Sequence, residues 1–203
     1  MKKTIAILIL SMICLCAEAR KDSAHRITFG AEWSYVGTFF TGYHYNYFTP
    51  DGYRFNVTGY DSRFHNNGEA LVHIGYDIND LWNISAYAGM TGLADFHNAV
   101  PINIRVTRLW GCNPLIDRWF TFADIGTGIT IRNPIQANAA VKLGGGYRLT
   151  LSRDTKIDFL AALRGTYTQP QVHNRHELIS IEATNRNDAF LLSISVGISL
   201  TFK

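Results

Sequence analysis

The chain has 203 residues, with 19 Lys and Arg against 16 Asp and Glu, for a formal net charge of +3. Near-balance of that kind excludes the basic stripe that nucleic-acid binding needs, and the length suits one ordinary domain. Seventeen glycines and a 13% aromatic content suit an all-β chain with many turns.

The first nineteen residues read as an export signal. Lys2 and Lys3 precede an apolar run over residues 5–16, and Ala17-Glu18-Ala19 is an A-x-A cleavage site. We therefore expect a signal peptide over 1–19 and a β-barrel domain over 20–203. Cys14 and Cys16 raise a lipoprotein alternative, but Ile13 and Leu15 precede them where lipid attachment favours a small residue. Cys112 alone remains after cleavage, so no internal disulfide can form and the fold needs closure or a core. No later stretch has the 18 consecutive apolar residues of a spanning helix.

The rest of the chain alternates between apolar and polar residues. Ile27, Phe29, Ala31, Trp33 and Tyr35 oppose Thr28, Gly30, Glu32 and Ser34. Ala70, Val72, Ile74, Tyr76 and Ile78 oppose His73, Gly75 and Asp77, ahead of an Asn79-Asp80 turn. Further two-residue periods run over 82–90, 102–107, 123–131, 141–151 and 157–167. The last is the strongest: Phe190, Leu192, Ile194, Val196, Ile198, Leu200 and Phe202 face away from Ser193, Ser195, Gly197, Ser199 and Thr201. A strand points successive side chains to opposite faces, so each segment has one greasy and one small, polar face. A soluble edge as greasy as the last strand would aggregate, whereas the same face against lipid would not.

The predicted fold is all-β: a closed antiparallel up-and-down transmembrane β-barrel of eight strands, with a long extracellular β-hairpin. The turns after the second, fourth and sixth strands are short, and those after the first and seventh are long (36–69 and 169–187), which places the short turns and both chain ends in the periplasm. Within the first loop the aromatic phase runs on through Phe39, Tyr43, Tyr45 and Tyr47 to a Thr49-Pro50-Asp51-Gly52 turn, and Tyr53, Phe55 and Val57 resume it. Counted as spanning strands, these segments would give ten; a tight turn at Gly37-Thr38 would then reverse the phase, which favours eight.

The polar parity carries Glu32, Asp77, Asp124 and Asp158 against Arg105, Lys142, Arg148 and Arg164. Mixed charges among Gly, Ser and Thr suit the cramped inside of an eight-stranded barrel, where we expect a bonded network and no open channel. Trp33, Tyr35, Tyr76, Trp82, Trp110, Trp119 and Tyr167 are expected at the two membrane interfaces. The alternatives are a soluble sandwich with core aromatics and a soluble lipocalin-like carrier with its apolar face inward.

The signal peptide, the eight amphipathic strands and Phe202 resemble the small outer-membrane barrels of the OmpA-transmembrane-domain and OmpX type. Gly75-Tyr76-Asp77-Ile78-Asn79, Asp117-Arg118-Trp119-Phe120-Thr121-Phe122 and Gly144-Gly145-Gly146-Tyr147-Arg148-Leu149 resemble porin-family proteins common in Bacteroidota. The resemblance covers essentially the whole mature chain and implies a cell outer membrane location, outer-membrane lipid around the barrel and contact with the outer-membrane assembly machinery. It brings no catalytic residue, and Lys203 after the terminal aromatic departs from the pattern.

Seven histidines invite a metal site: His173 and His176 are three apart in the last loop, and His44, His65 and His97 are placed toward the same end, but scattered surface histidines are the plainer reading, and no metal, cofactor or catalytic set is predicted. His73 is expected inside, paired with Asp77 one pleat away. The chemistry-bearing candidate is instead the aromatic hairpin over 39–60, with Phe39, Tyr43, Tyr45, Tyr47, Tyr53 and Phe55 as surface-contact residues toward a cell-surface protein or glycan. The expected function is structural or adhesive and non-enzymatic. A lipid-modifying outer-membrane enzyme of similar shape is the alternative.

Overall fold

The computed structural model describes residues 26–49, 51–93, 97–111, 113, 115–131, 136–170, 173–174, 177–179 and 183–203. The proposed signal peptide and Cys112 lie outside them.

Eight strands close on themselves. They are β1 (Ile27–Phe48), β3 (His65–Asp77), β4 (Trp82–Leu93), β5 (His97–Leu109), β6 (Arg118–Thr130), β7 (Ala137–Thr150), β8 (Thr155–Thr168) and β11 (Thr184–Phe202). All pair antiparallel in the order β11-β8-β7-β6-β5-β4-β3-β1, and a β1–β11 ladder from Phe29↔Phe202 upward seals the barrel. A ninth strand, β2 (Arg54–Asp61), joins only the far half of β1, and β9 (His173–Asn174) pairs with β10 (Glu177–Leu178) in a small separate hairpin. Among the described residues no helix is long and apolar enough to cross a membrane. The spanning count is eight, not ten.

The barrel is inverted relative to a soluble one. Ile125 is 67% exposed, and Val72, Ile102, Leu143, Ile194 and Ile198 are exposed with it, while Glu32, Arg105, Asp124, Lys142 and Arg164 are buried. The strands thus send their greasy parity outward and their polar parity inward, the arrangement that lipid demands. That rules out the lipocalin-like and sandwich alternatives, which need the greasy face inside.

Short turns close one end. Asn79 Oδ1 accepts the backbone N–H of Leu81 at 2.9 Å and of Trp82 at 2.8 Å, which fixes the first. Ser152 Oγ accepts those of Asp154 at 3.2 Å and Thr155 at 3.0 Å, which fixes the last. At the other end β1 and β11 outrun their neighbours: they have 22 and 19 residues, where the other barrel strands have 12 to 14. A tilted strand crosses a bilayer in about 9–11 residues, so β1, β2 and β11 together form a three-stranded sheet standing above the rim.

A β-bulge between Thr38 and Phe40 marks where that sheet leaves the barrel. One extra residue on β1 flips the side-chain phase. Below the bulge odd positions face lipid; above it Phe40, His44 and Phe48 continue the outer face, and Tyr43, Tyr45 and Tyr47 turn to the side that continues the barrel interior. The expectation that one aromatic phase runs unbroken from Tyr35 to Tyr47 is corrected by this single residue. The hairpin tip closes as expected, with Gly52 N–H donating to Thr49 O at 2.9 Å and Gly52 at φ 81°, a conformation that costs glycine no Cβ clash.

Inside, the three consecutive glycines of β7 have a steric purpose. Gly144 and Gly146 lie opposite Phe122 and Phe120 of β6. A Cβ on Gly146 would stand 2.0 Å from the Phe159 carbonyl oxygen and 2.6 Å from Phe120 Cζ. The two rings fold into the lumen there and pack with Leu109, Leu160 and Ala162 as a buried apolar layer. Phe120 and Phe122 break the rule that polar residues face inward, and the missing glycine side chains make room for them.

Candidate functional site

Interior ion pairs occupy the barrel in layers. Arg105 on β5 donates through Nε and Nη2 to Asp124 at 2.7 and 3.0 Å, and through Nη1 and Nη2 to Glu32 at 2.5 and 3.1 Å. Its guanidinium carbon also lies 4.2 Å from the Tyr87 ring centroid and 4.3 Å from that of Phe122. This layer holds two acids and one base. A second layer holds the converse: Glu69, its side chain 1% exposed, accepts from Lys142 Nζ and from Arg164 Nη1. Lys142 and Asp124 are cross-strand neighbours on β7 and β6, so the excess positive charge of one layer sits beside the excess negative charge of the other. Buried charges persist only when paired and hydrogen-bonded, and each triad supplies what the other lacks. Toward the short-turn end Arg148 donates to both Asp158 oxygens at 2.7 Å. Asp77 accepts from Asn83 Nδ2 at 2.8 Å and pairs with Lys203 Nζ at 2.7 Å.

The residues proposed for the network are therefore all inward or at the mouth, but Glu69 is a member that the sequence reading places in a loop. Its parity with Leu71 and His73 is the signal that marks it. Lys203, a departure in the sequence pattern, closes an ion pair at the mouth.

The expected His73–Asp77 pair does not form. Four residues along a strand is about 13 Å, beyond side-chain reach. His73 instead packs at a tilt against Tyr87, with ring centroids 4.8 Å apart, and its Nε2 lies 3.4 Å from Thr201 Oγ1. Trp33 is also displaced from its expected place: it pairs with Ala70 and Ile198 inside the apolar belt rather than at an interface.

The barrel is similar in fold to small outer-membrane barrels. The surface protein NspA of Neisseria matches over 84% of this chain and 96% of its own at 10% identity, with a TM-score of 0.47. OprG of Pseudomonas aeruginosa matches over 91% and 99% at 10% identity, with a TM-score of 0.49. The outer-membrane protease OmpT of Escherichia coli matches over 91% and 99% at 9% identity and 0.38. No protein-family model matches the chain, and no curated protein matches its sequence.

Above the rim, the sheet holds itself upright by ring stacking. Tyr43 stacks on Tyr45 at 4.9 Å, Tyr47 on Phe55 at 5.7 Å and Phe40 on Tyr60 at 6.3 Å. Tyr47 is only 8% exposed, in a cluster with Ile179 and beside Tyr45 and Ala183, so it is a packing residue and not a free contact. Phe39, Tyr43 and Tyr45 are half-buried. Of the six residues expected to offer a surface, Tyr53 at 70% and Phe55 do so, and Tyr60 at 76% joins them. The outer face adds polar ties: His44 Nε2 to Asn56 Oδ1 at 2.9 Å, Arg54 Nε to Asn46 Oδ1 at 3.0 Å, and Tyr167 O–H to Asp188 Oδ1 at 2.5 Å. Among the described residues no group of three or more His, Cys, Asp or Glu is placed to hold a metal ion. His44 pairs across β1 and β2 while His65 lies at the start of β3, and the side chains of His97, His173 and His176 lie outside the described set.

Proposed function

We propose that this is a non-enzymatic outer-membrane barrel, exported by the leader at its N-terminus, that presents the three-stranded sheet of β1, β2 and β11 at the cell surface for adhesion or partner contact. The observation that supports the reading most is the mismatch in strand length. Six barrel strands are cut to membrane height, while two outrun it and carry an added hairpin with the exposed rings of Tyr53, Phe55 and Tyr60. A filled interior leaves only the ends and the lipid face for action, and stiff aromatic rings on an upright sheet offer contact area at small entropic cost. A cell-surface protein or glycan is the fitting partner, since flat aromatic faces stack on the apolar faces of sugars and of side chains.

The test replaces Tyr53, Phe55 and Tyr60 together with Ser. Both forms should fold, shown by heat-modifiable migration of outer-membrane extracts. Cells displaying the wild type should bind glycan arrays or immobilised matrix proteins and the variant should bind at least several-fold less. Equal binding by the two, or no binding by wild type, overturns the proposal. Recovery of the protein in the soluble periplasmic fraction overturns its membrane premise separately.

A further inference from the structure

The lipid-facing surface near the short-turn end carries a cation that the membrane reading does not use. Arg108 sits on the outward parity of β5, directly across from Trp82 of β4. Its guanidinium lies 5.4 Å from the Trp82 ring centroid and 4.3 Å from that of Trp110. Trp110 is itself anchored: its Nε1–H donates to Thr121 Oγ1 at 3.3 Å, and its backbone N–H donates to Trp119 O at 2.9 Å. Trp119 in turn meets Tyr147 edge-on at 4.9 Å. The five side chains form one band across β4 to β7.

We propose that this band is a binding site for the phosphate of a glycerophospholipid, with Arg108 as its anion-binding group. Among the described residues the Arg108 side chain makes no ion pair with a carboxylate and no hydrogen bond. A guanidinium has five N–H donors in its plane and two π faces. Indole rings attract the cation electrostatically but accept none of its hydrogen bonds in the way an oxygen does. The in-plane donors are thus held in place and unfilled at the level where the aromatic girdle marks the membrane interface. Phosphate oxygens match that fork and would form short, charge-assisted bonds with it. Next to Arg108 the same face turns fully apolar, with Ile84 on β4 and Val106 and Ile104 on β5 exposed for the acyl chains. A freely snorkelling arginine would need no such ring clamp. The proposal rests on the short-turn end being periplasmic, where the leaflet is phospholipid.

Native mass spectrometry of the folded protein in neutral detergent tests it without any variant. Dioleoylphosphatidylglycerol should remain bound at about a tenfold lower concentration than dioleoylglycerol, which has the same chains and no phosphate, a difference that corresponds to one charge-assisted contact. R108Q should lose about tenfold toward the phospholipid and nothing toward dioleoylglycerol. R153Q, in an exposed turn at the same end, should match wild type. If R108Q does not give the heat-modifiable band, W110L replaces it: the charge stays, the clamp goes, and binding should fall about threefold. Equal retention of the two lipids, or an R108Q that binds phosphatidylglycerol as wild type does, overturns the site. Displacement of the lipid by inorganic phosphate at about millimolar concentration overturns it as a lipid site, since the ligand would then be the free anion.

Discussion

Removing Arg105 should destabilise the barrel severely. Arg105→Met keeps most of the stem and deletes the charge. It strips four hydrogen bonds from Glu32 and Asp124 and leaves two carboxylates with side chains 0% and 2% exposed facing each other across the lumen. Breaking one buried pair in this way costs about 3–5 kcal/mol, chiefly because the surviving charge stays buried without its partner. The loss here should reach at least that range, because two acids are orphaned. Urea-dependent folding into lipid vesicles, read by tryptophan fluorescence and by the heat-modifiable band, measures it. The triple variant Arg105→Met, Glu32→Gln, Asp124→Asn removes all three charges at once and should regain most of the loss, to within about 2 kcal/mol of wild type, since neutral groups of the same shape need no counter-ion. A cost below about 1 kcal/mol for R105M would show that water reaches the layer. A triple variant as unstable as the single would show that shape, not charge, holds it.

Two further changes separate the barrel from the sheet above it. Gly146→Ala puts a Cβ 2.0 Å from the Phe159 carbonyl oxygen, so the strands must move apart, and the same urea titration should show a loss of about 1–3 kcal/mol; an unchanged midpoint refutes the account of the glycine run. Tyr47→Ser empties a buried position against Ile179 and should loosen only the hairpin, so that trypsin on whole cells cuts at Arg54 and Arg63 faster while the heat-modifiable band stays unchanged. Loss of the band would show Tyr47 to be part of the spanning wall.

Most of the barrel is legible in the sequence because a strand against lipid has a period of two and a sharp contrast between its faces. The span from Phe190 to Phe202 is an example: Phe190, Ile194, Val196 and Ile198 lie outward and the serines inward, with Leu191 alone an apolar residue on the inward parity. Glu69 is missed for a local reason. Asn66, Asn67 and Gly68 read as a turn, yet they pair with Gly37, Val36 and Tyr35 in a regular ladder, because tertiary pairing overrides turn propensity. Phe120 and Phe122 follow the parity of Asp124 inward, but their bulk there is out of keeping with a polar lumen and depends on glycines on another strand. The bulge at Phe39 carries no residue signature at all, and it reverses the faces of every aromatic above it.

These misreadings share a cause that bears on function. Period-two reasoning treats each strand as an isolated ribbon, and it succeeds where lipid, a uniform solvent, is the only partner of the outward face. It fails where a side chain answers to a neighbour on another strand. The Glu69 triad joins β3, β7 and β8, and the Arg105 triad joins β1, β5 and β6. Each therefore ties a neighbouring pair of strands, β7–β8 or β5–β6, to a strand that does not lie beside it, β3 or β1, across the lumen, and this resists flattening of the barrel in a way that ladder hydrogen bonds cannot. A wall braced from within can support β1 and β11 far past the rim. The sheet they carry then continues a braced wall, which is what the proposed contact surface requires and what a flexible loop would not supply.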